Sequence, residues 1–215
     1  MESNRLNNTL LRSIQYRFED GIIELVMGGI FLLAGIYFYL QAVMANSQLA
    51  DVLTASFALI FIGGYYLMQY SIRSLKERIT FPRTGYVAYR NGSGSRVVWI
   101  IAAFGIAVLT GGLLAFSQIK TGPEWNLMPP FSGLVIAIVL GLIGLQTALP
   151  RFYGLAGISL VLGGAFAFAK IGLSNDLATA AFCGAMGVVL LVSGGAVLRH
   201  YLRQNPASTE ASDDK

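Results

Sequence analysis

Long apolar runs alternate with short polar breaks along this chain. Crossing a hydrocarbon core of about 30 Å takes roughly 20 residues at a rise of about 1.5 Å each. Six runs qualify: Ile22 to Met44, Ala50 to Ser71, Val97 to Phe116, Phe131 to Leu149, Phe152 to Ile171 and Leu177 to Leu198. The pattern predicts an all-α fold, a polytopic membrane bundle of six transmembrane helices spanning residues 22–198. Residues 1–21 carry a short helical stripe, Leu10, Leu11, Ile14 and Phe18 beside Arg12 and Arg17, and read as a cytoplasmic interfacial segment. The tail 199–215 has no apolar face and is stopped by Pro206, so it is expected to be disordered. A cleaved signal peptide ending at Ala42-Val43-Met44-Ala45 fits less well, because the apolar run is too long and its leading flank too acidic.

The one long polar interruption, residues 72–96, orders the rest. It holds Arg73, Lys76, Arg78, Arg83, Arg90 and Arg96 against the single acid Glu77. Basic loops stay on the cytoplasmic side, so this segment is placed inside. Arg5, Arg12 and Arg17 before the first span, Arg151 between the fourth and fifth, and Arg199, Arg203 and Lys215 after the last then fall on the same side. Of the 15 basic residues only Lys120 and Lys170 are left for the other. Both termini are therefore expected in the cytoplasm of a bacterial cell. Trp99, Phe152 and Tyr153 would form the inner aromatic belt, and Tyr37, Tyr39 and Trp125 the outer one.

Composition agrees with lipid as the main solvent. Of 215 residues 55% are hydrophobic and 12% charged, about half the charge of a typical soluble domain. The formal charge of +4 belongs to residues flanking apolar runs, so membrane topology accounts for it and nucleic acid is not an expected partner. Cys183 is the single cysteine and sits within an apolar run, where it reads as a packing residue.

Glycines recur in every span: Gly28-Gly29, Gly63-Gly64, Gly111-Gly112, Gly141 with Gly144, Gly163-Gly164 and Gly194-Gly195. Small residues that let backbones approach carry helix association in lipid. Gly133, Ala137 and Gly141, then Ser159, Gly163 and Ala167, then Ala180 and Gly184 recur every four residues, which predicts the closest packing among the fourth to sixth spans. The first two spans run Arg17-Phe18, Gly28-Gly29, Asp51, Thr54, Phe57, Gly63-Gly64. The last two run Arg151-Phe152, Gly163-Gly164, Asp176, Thr179, Phe182, Gly194-Gly195. This parallelism suggests three αα-hairpin repeats with a divergent middle copy.

On LVMGGIFLLAG, IFIGGYY and LVLGGAF the hairpins resemble bacterial acid-resistance membrane proteins of the HdeD type, which are six-helix proteins built from glycine-rich hairpins. Those relatives often carry proline at the outer bends, where this chain has Ala45-Asn46 and Ser174-Asn175. YRFEDGIIEL before the first span and ITFPRTGYVAYR after the second resemble a set of uncharacterised bacterial six-helix inner-membrane proteins. That resemblance implies the fold and brings no activity.

Few residues are placed for chemistry. Ile79 to Arg90 alternates apolar and polar positions around Pro82-Arg83-Thr84-Gly85 and reads as a small extended pair closed by a turn. With Arg73, Lys76, Arg78 and Arg90 it offers a surface for anionic headgroups or for a cytoplasmic protein, the latter helped by Arg83, Tyr86 and Tyr89, and phosphate or nucleotide binding is a third reading although PRTG lacks the spacing of a phosphate loop. Glu24 is the acid nearest the bilayer interior. Its structural reading is a helix-start acid beside Glu19 and Asp20, paired to a loop arginine such as Arg78 or Arg83, and its functional reading is a proton or cation site. Asp51, Ser174 and Asp176 read as helix N-caps. There is no His-Glu-x-x-His run, no Gly-x-Ser-x-Gly elbow and only His200 as a histidine, so no catalytic residue, metal site or cofactor is expected. The leading expectation is a non-enzymatic scaffold, regulator or stress-related membrane component. The alternatives are a small transporter or channel, as a homo-oligomer where six helices do not suffice, and an intramembrane lipid-modifying enzyme.

Overall fold

The computed structural model describes residues 18–45, 47–80, 128–168 and 174–206. These residues are almost wholly helical, with no strand among them. Five α-helices follow in order: α1 Ile22–Val43, α2 Gln48–Leu75, α3 Met128–Thr147, α4 Pro150–Phe168 and α5 Asn175–Gln204. They correspond to five of the six expected spans. The run Val97 to Phe116, the interfacial segment up to Arg17 and the tail from residue 207 lie outside the described residues, while residues 199–204, expected in the disordered tail, continue α5 as helix. Among the described residues three helices are long and apolar enough to cross a membrane: α1, α3 and, from Asp176, α5, with mean hydropathies of 2.0, 2.1 and 2.1. Their outward surface is apolar too, as at Leu33, Leu145 and Val192, each more than half exposed. A surface of that kind is solvated by lipid rather than water.

Two antiparallel pairs make the bundle. α1 runs along α5, seamed by glycines two turns apart. A Cβ at Gly21 would lie 2.6 Å from the Gly194 carbonyl oxygen, one at Gly28 2.9 Å from that of Gly187, and one at Gly35 3.1 Å from the Gly184 nitrogen. Seven-residue spacing returns to nearly the same helix face, so the seam persists along the pair. α3 and α4 form a tight hairpin in which Gly133 and Gly163 face each other and the buried Ser159 hydroxyl donates to the Gly133 carbonyl at 2.9 Å. Leu140, Ile143, Phe152, Leu155, Met186 and Leu190 join the hairpin to α5. α2 lies against α1.

The close packing expected among the last three spans is thus only half realised. α3 and α4 pack through Gly133, Ser159 and Gly163, but α5 gives its glycine face to α1. Gly141 has nothing within 4 Å of its Cβ position. The hairpins with matching sequence also differ in surroundings. Gly194 packs on Gly21 and Leu25, whereas Gly63 and Gly64 meet no described residue, and Thr179 is buried where Thr54 is exposed.

Candidate functional site

The start of α1, the end of α2, the start of α4 and the last third of α5 meet at one end of the bundle. The segment Phe18 to Gly21 sets the geometry. Gly21 adopts φ +70°, which favours glycine, and it presses on α5 where a side chain has no room. This turn lets Asp20 Oδ1 accept from the Ile22 backbone N–H at 3.2 Å, at the helix start where free N–H groups attract an acid. Glu24 follows one turn later on the same face. Both carboxylates are about 1% exposed.

Each acid is held by a base from elsewhere in the chain. Lys76 Nζ lies 2.8 Å from Asp20 Oδ2, and the Thr80 hydroxyl donates to the same oxygen at 3.2 Å. Lys76 to Thr80 form one π-helical turn continuing α2, which brings both side chains to Asp20. Arg151 Nε lies 2.9 Å from Glu24 Oε1, and the Ser193 hydroxyl donates to Oε2 at 2.9 Å. The Nε–H is not aligned on Oε1, so this contact is a close ion pair rather than a directed hydrogen bond. Arg151 Nη2 donates instead to the Phe18 carbonyl, and the guanidinium lies over the Phe152 ring, 5.2 Å from its centre. Phe18 meets Phe152 edge to face at 5.7 Å. The four charges balance within the cluster. Buried pairs of this kind contribute little net stability, yet removing one partner strands a charge.

Several expectations change here. Glu24 is buried near the start of its helix, but its partner is Arg151, since Arg78 is exposed. Lys76, read as a headgroup or partner contact, has a side chain only 12% exposed and engages Asp20 inside the protein. Arg73 is exposed and pairs with Glu77 along its own helix at 2.8 Å. Ile79 and Thr80 belong to the helical turn, not to an extended pair. Arg83, Tyr86 and Arg90 lie outside the described residues. Ser174 caps α5, accepting from the Leu177 N–H at 3.3 Å, whereas Asp51 and Asp176 sit within first turns and are not caps.

Sequence reasoning missed Asp20, Thr80, Arg151 and Ser193 as one group. The acids four residues apart at a span boundary and a lone arginine between two apolar runs were visible signals. Their pairing was not. No family model, curated protein or solved structure matches the chain.

Proposed function

We propose that this is a six-span protein of the bacterial cytoplasmic membrane with both termini inside. It acts as a non-enzymatic scaffold or regulator through the basic segment 72–96, which docks a cytoplasmic protein and touches anionic headgroups. The resemblance to uncharacterised six-helix inner-membrane proteins is part of the same reading. The observation that carries it is the Asp20 clamp. Lys76 and Thr80, at the root of the segment, are fixed to the start of α1, while Arg73 and Arg78 beside them remain exposed. A basic surface rooted on a rigid bundle gives a partner a fixed platform, which lowers the ordering cost of binding.

Reporter fusions should place the segment and both termini in the cytoplasm. Pull-down with Arg78, Arg83 and Arg90 replaced by glutamine should lose a partner that the parent chain recovers. Equal recovery from both argues against the reading. A small transporter is favoured by one specific observation, the buried Glu24–Arg151 pair, whose acid lies in the first turn of the apolar α1, since charges buried in membrane helices often mark ion pathways. Proteoliposome flux of protons and small cations, lost in Glu24→Gln, would support transport over scaffolding.

A further inference from the structure

An apolar groove of about 450 Å³ runs between α4 and α5 on the outer face of the bundle, walled by Gly154, Ile158, Val188 and Val192 and closed at one end by Arg151 and Ser193. Its volume falls within the range of roughly 300–1,000 Å³ typical of small-molecule sites. We propose that this groove seats one acyl chain of an anionic phospholipid whose phosphate is bound by Arg151. The proposal rests on the protein lying in a bilayer and not on the docking of a cytoplasmic partner.

The guanidinium supplies the head-group contact. Its side edge is occupied within the protein, Nε by Glu24 and Nη2 by the Phe18 carbonyl. Nη1 makes no hydrogen bond to any described residue, and the side chain is 23% exposed. Nη1 therefore keeps its two N–H donors for phosphate oxygens, and hydrogen bonds to a charged acceptor are the strong ones. Arg151 is the second residue of α4 and lies against Glu24 in the first turn of the apolar α1, which sets it at the boundary level of that span, where lipid phosphates lie, beside the positive end of the α4 dipole. The groove continues from that point into the apolar span. Gly154 has nothing within 4 Å of its Cβ position, and Ile158, Val188 and Val192 are 41%, 53% and 67% exposed. A cationic donor edge at headgroup depth above an open apolar channel fits a charged head with an attached chain. A bare anion would leave the channel empty, and a zwitterionic lipid, which carries the same phosphate, would bring a second cation beside the partly exposed Arg151, whose partner Glu24 is buried.

The full-length chain would be exchanged in mixed micelles of phosphatidylglycerol and phosphatidylcholine with identical acyl chains, and the retained lipid read by native mass spectrometry. The parent should retain phosphatidylglycerol with about tenfold preference, the scale of one unit-charge repulsion of the choline ammonium by Arg151 near a protein surface. Val192→Trp and Gly154→Leu fill the groove while leaving Glu24 and Arg151 in the sequence and should abolish the preference. Val161→Trp, on an exposed position outside the groove, should keep it. Equal retention of the two lipids by the parent, or an undiminished preference in both groove-filling variants, would overturn the proposal. So would displacement of the lipid by millimolar inorganic phosphate, which would mark a bare anion site.

Discussion

Gly28 on α1 and Gly187 on α5 approach so closely that a Cβ on Gly28 would fall 2.9 Å from the Gly187 carbonyl oxygen, and one on Gly187 3.0 Å from that of Gly28. The obstacle is backbone on both sides, which a rotamer change cannot relieve. Gly28→Ala and Gly187→Ala should each destabilise the bundle by about 1–3 kcal/mol, the usual cost of overpacking. Gly29→Ala points to open space and should be near neutral. Thermal unfolding in detergent distinguishes them, and equal loss at Gly28 and Gly29 would count against the α1–α5 seam.

The Glu24–Arg151 pair lends itself to a double-mutant cycle. Glu24→Gln and Arg151→Gln should each cost about 3–5 kcal/mol, because each strands the other charge. The double variant should recover much of that loss. Additive losses would mean that the two charges are not coupled.

Asp20→Asn removes the charge that holds Lys76 and weakens the acceptor of Thr80. Limited trypsin digestion should then cut faster at Arg78, because opening the end of α2 becomes easier. Arg73→Ala breaks the exposed Arg73–Glu77 pair and should change stability by less than about 1 kcal/mol. Unchanged cleavage of Asp20→Asn would show that the root of the segment is held by something else.

Between α3 and α4, Ala148 adopts φ +53° and is followed by Leu149 and Pro150, the first residue of α4. A left-handed non-glycine residue costs about 1–2 kcal/mol, and Ala148 is exposed. Ala148→Gly should therefore raise the unfolding temperature, with a gain of up to about 1 kcal/mol. A lowered unfolding temperature would indicate that the turn relies on the alanine methyl.

The helices themselves were legible because apolar run length is a local property of the chain. Ile22 to Met44 became α1 and Phe131 to Leu149 became α3, each to within a few residues. α2 and α5 extend beyond the expected runs at their ends, since a helix continues through polar residues such as Arg73 and Arg203 once its backbone ladder is formed. The glycine pairs were visible, but in each of Gly28-Gly29, Gly163-Gly164 and Gly194-Gly195 only the first member meets a neighbour. Adjacent residues lie about 100° apart around a helix, so one glycine faces the partner while the next faces away.

The chain alone determined that the protein is helical, that its surface suits lipid and that its charges gather at the ends of apolar runs. Only the tertiary structure decided which helices pair and which charges meet. Glu24 was expected to meet Arg78 or Arg83 after the second span, and packing set it against Arg151 and Ser193 instead. Lys76 looked like any solvated lysine until Asp20 was found beneath it. Apolar runs follow from composition along the backbone, whereas a buried ion pair joins residues far apart in sequence and forms only when packing brings them into one water-poor place.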